Sequence, residues 1–128
     1  MSADLLLGVD VGTGATKAAL YDLSGALRGS ATVPTASLLQ RSDRSEQDPQ
    51  GMLNEVEDAI RLALERASAV GDDVAALALD GQMAGVMFVD DAGEAVGPYD
   101  SWLDTRCDPD VARLRPHAPE RPHSRPAR

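Results

Sequence analysis

From Leu5 to Val11 the chain is almost continuously apolar, a pattern that predicts a strand buried on both faces. Residues 16–23 and 27–33 alternate in the manner of two further strands, with Ser24 and Gly25 as the turn between them. Strands joined so closely must form an antiparallel meander. Residues 36–47 show no apolar period and read as an exposed loop. A helix is predicted next: Asp48 can cap it, Pro49 suits its first position, and Met52, Val56, Ala59, Ile60, Ala63 and Ala67 recur at helical spacing. Glu57 and Arg61 are expected to pair on its wet side, and Gly71, Asp72 and Asp73 to end it. Residues 74–79, VAALAL, predict another strand buried on both faces. Residues 86–89, a turn over 90–93 and a return strand over 94–96 predict a hairpin. The order βββαβ plus a hairpin is that of an α/β domain, a mixed sheet with a helix on it, and no internal repeat is found.

Composition narrows the possible functions. At 128 residues the chain makes one domain at most, since a domain typically takes roughly 100–200 residues. Seven basic and twenty acidic side chains in residues 1–112 give that body a net charge of -13, whereas residues 113–128 carry five arginines and one glutamate, a net +4. An acidic body has no basic stripe to displace counterions from phosphates, so neither nucleic acid nor an anionic membrane is an expected partner. The single Cys107 excludes an intramolecular disulfide framework and fits the cytoplasm. The apolar start lacks a basic leader and meets Asp10 too soon for a signal peptide or a membrane span. The segment after residue 107 is read as a Pro/Arg-rich, disordered tail. It holds four prolines among residues 113–128, in a composition that an out-of-frame end to a GC-rich gene would produce.

Three clusters could carry chemistry. In Asp10-Val11-Gly12-Thr13-Gly14-Ala15-Thr16-Lys17 an aspartate ends an apolar strand, where a carboxylate must be paired, hydrogen-bonded or bound to a cation. The Gly-Thr-Gly turn beside it offers unobstructed amides, and two hydroxyls and Lys17 add donors and charge, which suits a polyphosphate bridged to a divalent metal. It matches neither a Walker A loop nor a dinucleotide fingerprint. A glycine hairpin with a capped aspartate is the plain alternative. The second cluster, Asp80-Gly81-Gln82-Met83-Ala84-Gly85, lets a backbone approach a small ligand, with Gln82 able to donate and accept. A plain strand-to-strand turn with Met83 as core filler is the reading the residues alone favour. The third, Ser101-Trp102-Leu103-Asp104-Thr105-Arg106, sets the only tryptophan near a carboxylate and a guanidinium, a combination that suits sugars and polyols but also a buried Trp beside a surface ion pair.

In this order and spacing, GVDVGTGATKAALYD, EQDPQGM, GQMAG and SWLDTRC resemble the N-terminal domain of the FGGY carbohydrate kinases over residues 5 to about 107. The resemblance implies an RNase H-like fold of the actin-like ATPase superfamily and an N-terminal domain fragment over 1–107. The implied activity is ATP-dependent phosphorylation of a sugar or polyol hydroxyl, with ATP and Mg2+ as cofactors, a small-molecule sugar or polyol as partner, and room for a homodimer in full-length relatives. It implies that Asp10 lies near the magnesium, that Gly12, Thr13, Gly14, Thr16 and Lys17 form a phosphate loop, and that Gln82, Met83, Trp102, Asp104 and Arg106 line or support the sugar pocket. Ala84 stands where many sugar-specific members have histidine, which removes a polar contact and weighs against xylulose. The family's general-base aspartate and the adenine-binding half are expected beyond these residues, so the chain alone is expected to be inactive. Three other readings remain: a non-catalytic sugar- or partner-binding module, a metal-dependent nuclease using Asp10 and Asp80, and an unstable product of a broken gene.

Overall fold

The computed structural model describes residues 4–115. Strands β1 (Leu5–Val11), β2 (Ala15–Asp22) and β3 (Leu27–Pro34) form the expected antiparallel meander. Next come a short hairpin of β4 (Leu38–Arg41) and β5 (Arg44–Gln47), helix α1 (Pro49–Ala67), strand β6 (Val74–Gly81), the two-residue strand β7 (Tyr99–Asp100) and helix α2 (Asp108–Leu114). Strand β6 returns beside β1 and parallel to it, giving a mixed sheet of order β3-β2-β1-β6, while β4, β5 and β7 make a second, three-stranded sheet. A parallel neighbour needs a long crossover. Here β2, β3, the β4–β5 hairpin and α1 all lie within that connection.

The core follows from strand alternation. Leu7 and Val9 of β1, Ala18 and Leu20 of β2 and Ala31 of β3 point to one side and meet Ala59 and Ala63 of α1. Small side chains let the helix come close. A Cβ on Gly29 would stand 2.5 Å from the Ala63 carbonyl and 2.8 Å from the Ala67 amide, so the backbone of α1 rests directly on β3. The helix begins as expected, with Asp48 accepting from the Gly51 amide at 2.9 Å and Pro49 in the first turn. It ends at Ala67, four residues before Gly71, because Ser68 takes a left-handed backbone (φ 52°) and closes the last turn; residues 71–73 form a separate single turn. Arg61 pairs with Asp58 and Glu65, not with the expected Glu57.

Other expectations are corrected. Neither β1 nor β6 is buried on both faces: Leu6 is 42% exposed and Leu79 64%. Helix α1 lies over β2 and β3, and of β6 only Val74 is partly buried against the core, leaving residues 75–81 exposed. Residues 36–47 are no exposed loop, since they build β4 and β5 and bury Ser45, Glu46 and Gln47; the Ser45 backbone and the Glu46 and Gln47 side chains find partners in residues 82 and 101–106. The hairpin over 86–96 is reduced to isolated bridges, Val86 with Asp100 and Val89 with Ala95. Residues 108–114 are helical at the start of the segment read as disordered; the rest of that expectation, 116–128, lies outside the described residues.

Candidate functional site

Strands β1 and β6 run in the same direction, so both end on one edge of the sheet, where open α/β sheets place their ligands. The register sets Asp10 between Lys17 of β2 and Asp80 of β6. Lys17 Nζ lies 3.7 Å from Asp10 Oδ2, an exposed pair that costs little to open. Asp80 folds onto its own strand end, accepting from the Gly81 amide at 2.8 Å. Beyond Val11 the chain turns tightly through Gly12, whose amide donates to the Ala15 carbonyl at 3.1 Å. A Cβ on Gly12 would meet that oxygen at 2.8 Å, hence the glycine. The amides of Thr13 and Gly14 make no hydrogen bond among the described residues, which leaves two donors available in the turn that follows Asp10. That arrangement fits a phosphate group and a divalent cation.

The Gln82 amide donates to the Val11 carbonyl at 3.0 Å, which brings the second turn against the first. Between them lies a hollow of about 460 Å³ lined by Asp10, Gly12, Thr13, Gly81, Gln82, Met83, Ala84 and Trp102. Trp102 closes one side, its Nε1 donating to Thr13 Oγ1 at 3.0 Å, while the ring stays 54% exposed and presents a face. Thr13 Oγ1 is 3.1 Å from Gln82 Oε1, and Gln82 Nε2 lies 2.5 Å from Oε1 of the buried Gln47.

Asp104 and Arg106 do not line the hollow. They anchor the segment that carries Trp102. The Ser101 amide donates to the Ser45 carbonyl, the Ser45 amide donates to Asp104 Oδ2, both at 2.9 Å, and the Thr105 amide reaches Asp43. Arg106 Nη2 sits 2.8 to 2.9 Å from carboxylate oxygens of Glu46, Asp104 and Asp100, and Arg44 lies 2.7 Å from Glu46. Arg106 and the Ser45 amide hold the Asp104 carboxyl well below the usual range, Arg44 and Arg106 lower Glu46, and Asp104 raises Arg106. Oxygens of Glu46, Asp100 and Asp104 come within 4.8 Å of one another, a spacing that could suit a metal ion, but the guanidinium already supplies the cation.

The structure therefore gathers Asp10, Gly12, Thr13, Gln82, Met83 and Trp102 into one hollow, with Lys17 beside Asp10 and Gly14 on the outer rim of the turn. Thr16 is elsewhere: strand alternation puts it with Ala18 and Leu20 on the helix side, fully buried, its Oγ1 without a partner. Thr16 cannot offer its hydroxyl to a ligand in the hollow. Gln47 went unassigned by sequence although it lies in the EQDPQGM segment, and the one hint was a polar residue directly before a helix cap.

Residues 5–123 match the model of the FGGY family of carbohydrate kinases, N-terminal domain, somewhat past residue 107 where the motifs stop. Among curated proteins, a glycerol kinase of Leifsonia xyli subsp. xyli is 28% identical over 113 residues, covering 88% of this chain and 22% of that protein. A xylulose kinase of Staphylococcus xylosus is 26% identical over 110 residues, 86% of this chain and 22% of its own. The crystal structure of xylulose kinase from Rhodospirillum rubrum superposes with a TM-score of 0.77 at 25% identity, over 89% of this chain and 23% of that one. This chain thus spans about a fifth of the length of the curated relatives it matches.

Proposed function

Because the chain belongs to the FGGY family of carbohydrate kinases, we propose that the hollow at the ends of β1 and β6 is one wall of a kinase site, where a sugar or polyol hydroxyl lies beside the phosphates of ATP. The observation that supports this best is the joining of two chemistries in one hollow: open turn amides and a carboxylate on one side, and a half-exposed indole with Gln82 and Met83 on the other. Magnesium-bound ATP supplies the phosphoryl group that is transferred. The amides of Thr13 and Gly14 would hold phosphate oxygens, Asp10 would lie near the magnesium, and Lys17, beside Asp10, would add positive charge. Gln82, Met83 and the face of Trp102 seat the carbon skeleton, with Asp104 and Arg106 fixing the segment behind it. Phosphoryl transfer is chiefly positioning and charge neutralisation, so these are the parts such a wall must contribute.

Catalysis also needs a base for the acceptor hydroxyl and a surface for adenine. The described residues present Asp10, assigned above to the magnesium, as the only carboxylate lining the hollow, which supports binding without turnover for these 128 residues alone. A cytoplasmic setting agrees with the exposed, single Cys107, and no helix among the described residues is long and apolar enough to cross a membrane. The test is thermal melting of the purified chain with xylulose, gluconate, glycerol, ribulose or fuculose, with and without MgATP. At least one polyol should raise the melting temperature, Trp102→Ala should abolish that rise, and no phosphorylated product should form. No stabilisation by any of the five would sink the seat, and robust turnover would sink the claim of inactivity. Cleavage of an RNA–DNA hybrid with magnesium would favour the nuclease reading of Asp10 and Asp80 instead.

A further inference from the structure

An indole N–H can only donate a hydrogen bond. With Trp102 Nε1 3.0 Å from Thr13 Oγ1, the hydroxyl oxygen accepts there and keeps its single proton for Gln82 Oε1, 3.1 Å away. The oxygen of the Gln82 carboxamide faces Thr13, and Nε2 faces Gln47 and donates to its Oε1. Gln47 then turns its own Nε2 to Ser37 Oγ at 3.4 Å. In the arrangement the structure shows, the bonds run in one direction along Trp102, Thr13, Gln82, Gln47 and Ser37. Gln47 is 1% exposed, so water cannot replace a lost partner; turning Gln82 alone would set oxygen against oxygen, and turning Gln47 alone would set donor against donor, inside the protein.

We propose that Gln47 is a positioning residue for the hollow: it holds the Gln82 oxygen toward Thr13 and, through Thr13, sets where the Trp102 indole lies. The proposal depends on the kinase reading only for the purpose this positioning serves. One consequence reverses a sequence expectation. The Thr13 proton is committed to Gln82, so the Thr13 side chain accepts and does not donate in the hollow, and anionic groups are left to the Thr13 and Gly14 amides.

Trp102 is the only tryptophan, so the emission of the 128-residue chain without ligand reports on its bond to Thr13 directly. Thr13→Val removes that bond and sets the reference shift in emission maximum. Gln47→Leu should shift the emission in the same direction by a comparable amount, and the double variant no further than Thr13→Val alone. An unshifted Gln47→Leu spectrum, or additive shifts in the double variant, overturns the proposal. Should Gln47→Leu fail to melt cooperatively, the unsubstituted chain decides by NMR: the Gln82 Nε2 protons should exchange with solvent more slowly than those of the exposed Gln40, and equal rates overturn it. No sugar or nucleotide enters these measurements, so their failure is separate from a failure of the ligand seat.

Discussion

The four-stranded sheet closes on α1 through Leu7, Val9, Ala18, Leu20 and Ala31, all apolar, whereas the three-stranded sheet buries Ser45, Glu46 and Gln47 and gathers around a guanidinium. Both regions exclude water, but the first does so without needing particular partners. Burying a side chain such as Leu20 stabilises by about 1.5–3 kcal/mol against whatever apolar surface it meets. The second region gains only when each donor finds its acceptor, since an unmatched buried polar group costs about 1–3 kcal/mol. Apolar packing therefore supplies most of the stability, and the polar sheet supplies a fixed place for Trp102.

The largest effect should come from the apolar side. Leu20→Ala, at a fully buried position, is expected to cost about 2–5 kcal/mol and to lower the urea midpoint of the whole domain. A loss below about 1 kcal/mol would mean that α1 does not depend on this packing.

A smaller and more local loss is expected from Arg106→Ala, which leaves Glu46, Asp100 and Asp104 facing one another. Amide exchange at Ser45 and Ser101 should quicken while that of Leu7 and Leu20 holds. If all four quicken together, the two sheets are one cooperative unit and the contrast between them fails. The same variant carries a pH signature. Asp104 and Glu46 have folded pKa values below the ordinary 3.8 and 4.5, so their stabilisation is complete above the ordinary values and is lost as pH falls from about 4.5 downward. Arg106→Ala should flatten that acid-side loss, because the guanidinium is a principal cause of the lowering; an unchanged acid profile in urea melts would contradict it.

Next in size is Asp48→Ala, which removes the side-chain acceptor of the Gly51 amide and should cost about 1 kcal/mol of stability, measured by chemical denaturation. The smallest effect belongs to Lys17→Ala. The pair with Asp10 is exposed, so stability should change by less than about 1 kcal/mol, whereas phosphate affinity measured by calorimetry should fall. A large stability loss with unchanged phosphate affinity would make Lys17 structural.

Much of this contrast was already legible along the chain. Residues 5–11, 16–23 and 27–33 alternate or run apolar because their partners are any apolar surface, and the helix start at Asp48-Pro49 is local chemistry, so each could be read without its neighbours. Residues 36–47 were misread as exposed for the opposite reason. Ser45, Glu46 and Gln47 look hydrophilic until Asp104, Arg106 and Gln82 arrive from more than thirty residues away. The open faces of β1 and β6 were misread too, since apolar runs record what a strand can bury against, and among the described residues that cover is absent.

The sequence by itself determined the meander, the helix, a strand over residues 74–79 in a mixed sheet, and four motifs that mark the family, because each rests on local spacing or a short string of residue types. The tertiary structure decided which of those motif residues meet. It brought Asp10, Thr13, Gln82 and Trp102 to one hollow, turned Thr16 to the helix side, withdrew Asp104 and Arg106 into the supporting sheet, and placed Gln47 behind Gln82. A hydrogen bond is made at about 3 Å between particular atoms, and only the path of the whole chain brings residues as far apart as 13 and 102 to that distance.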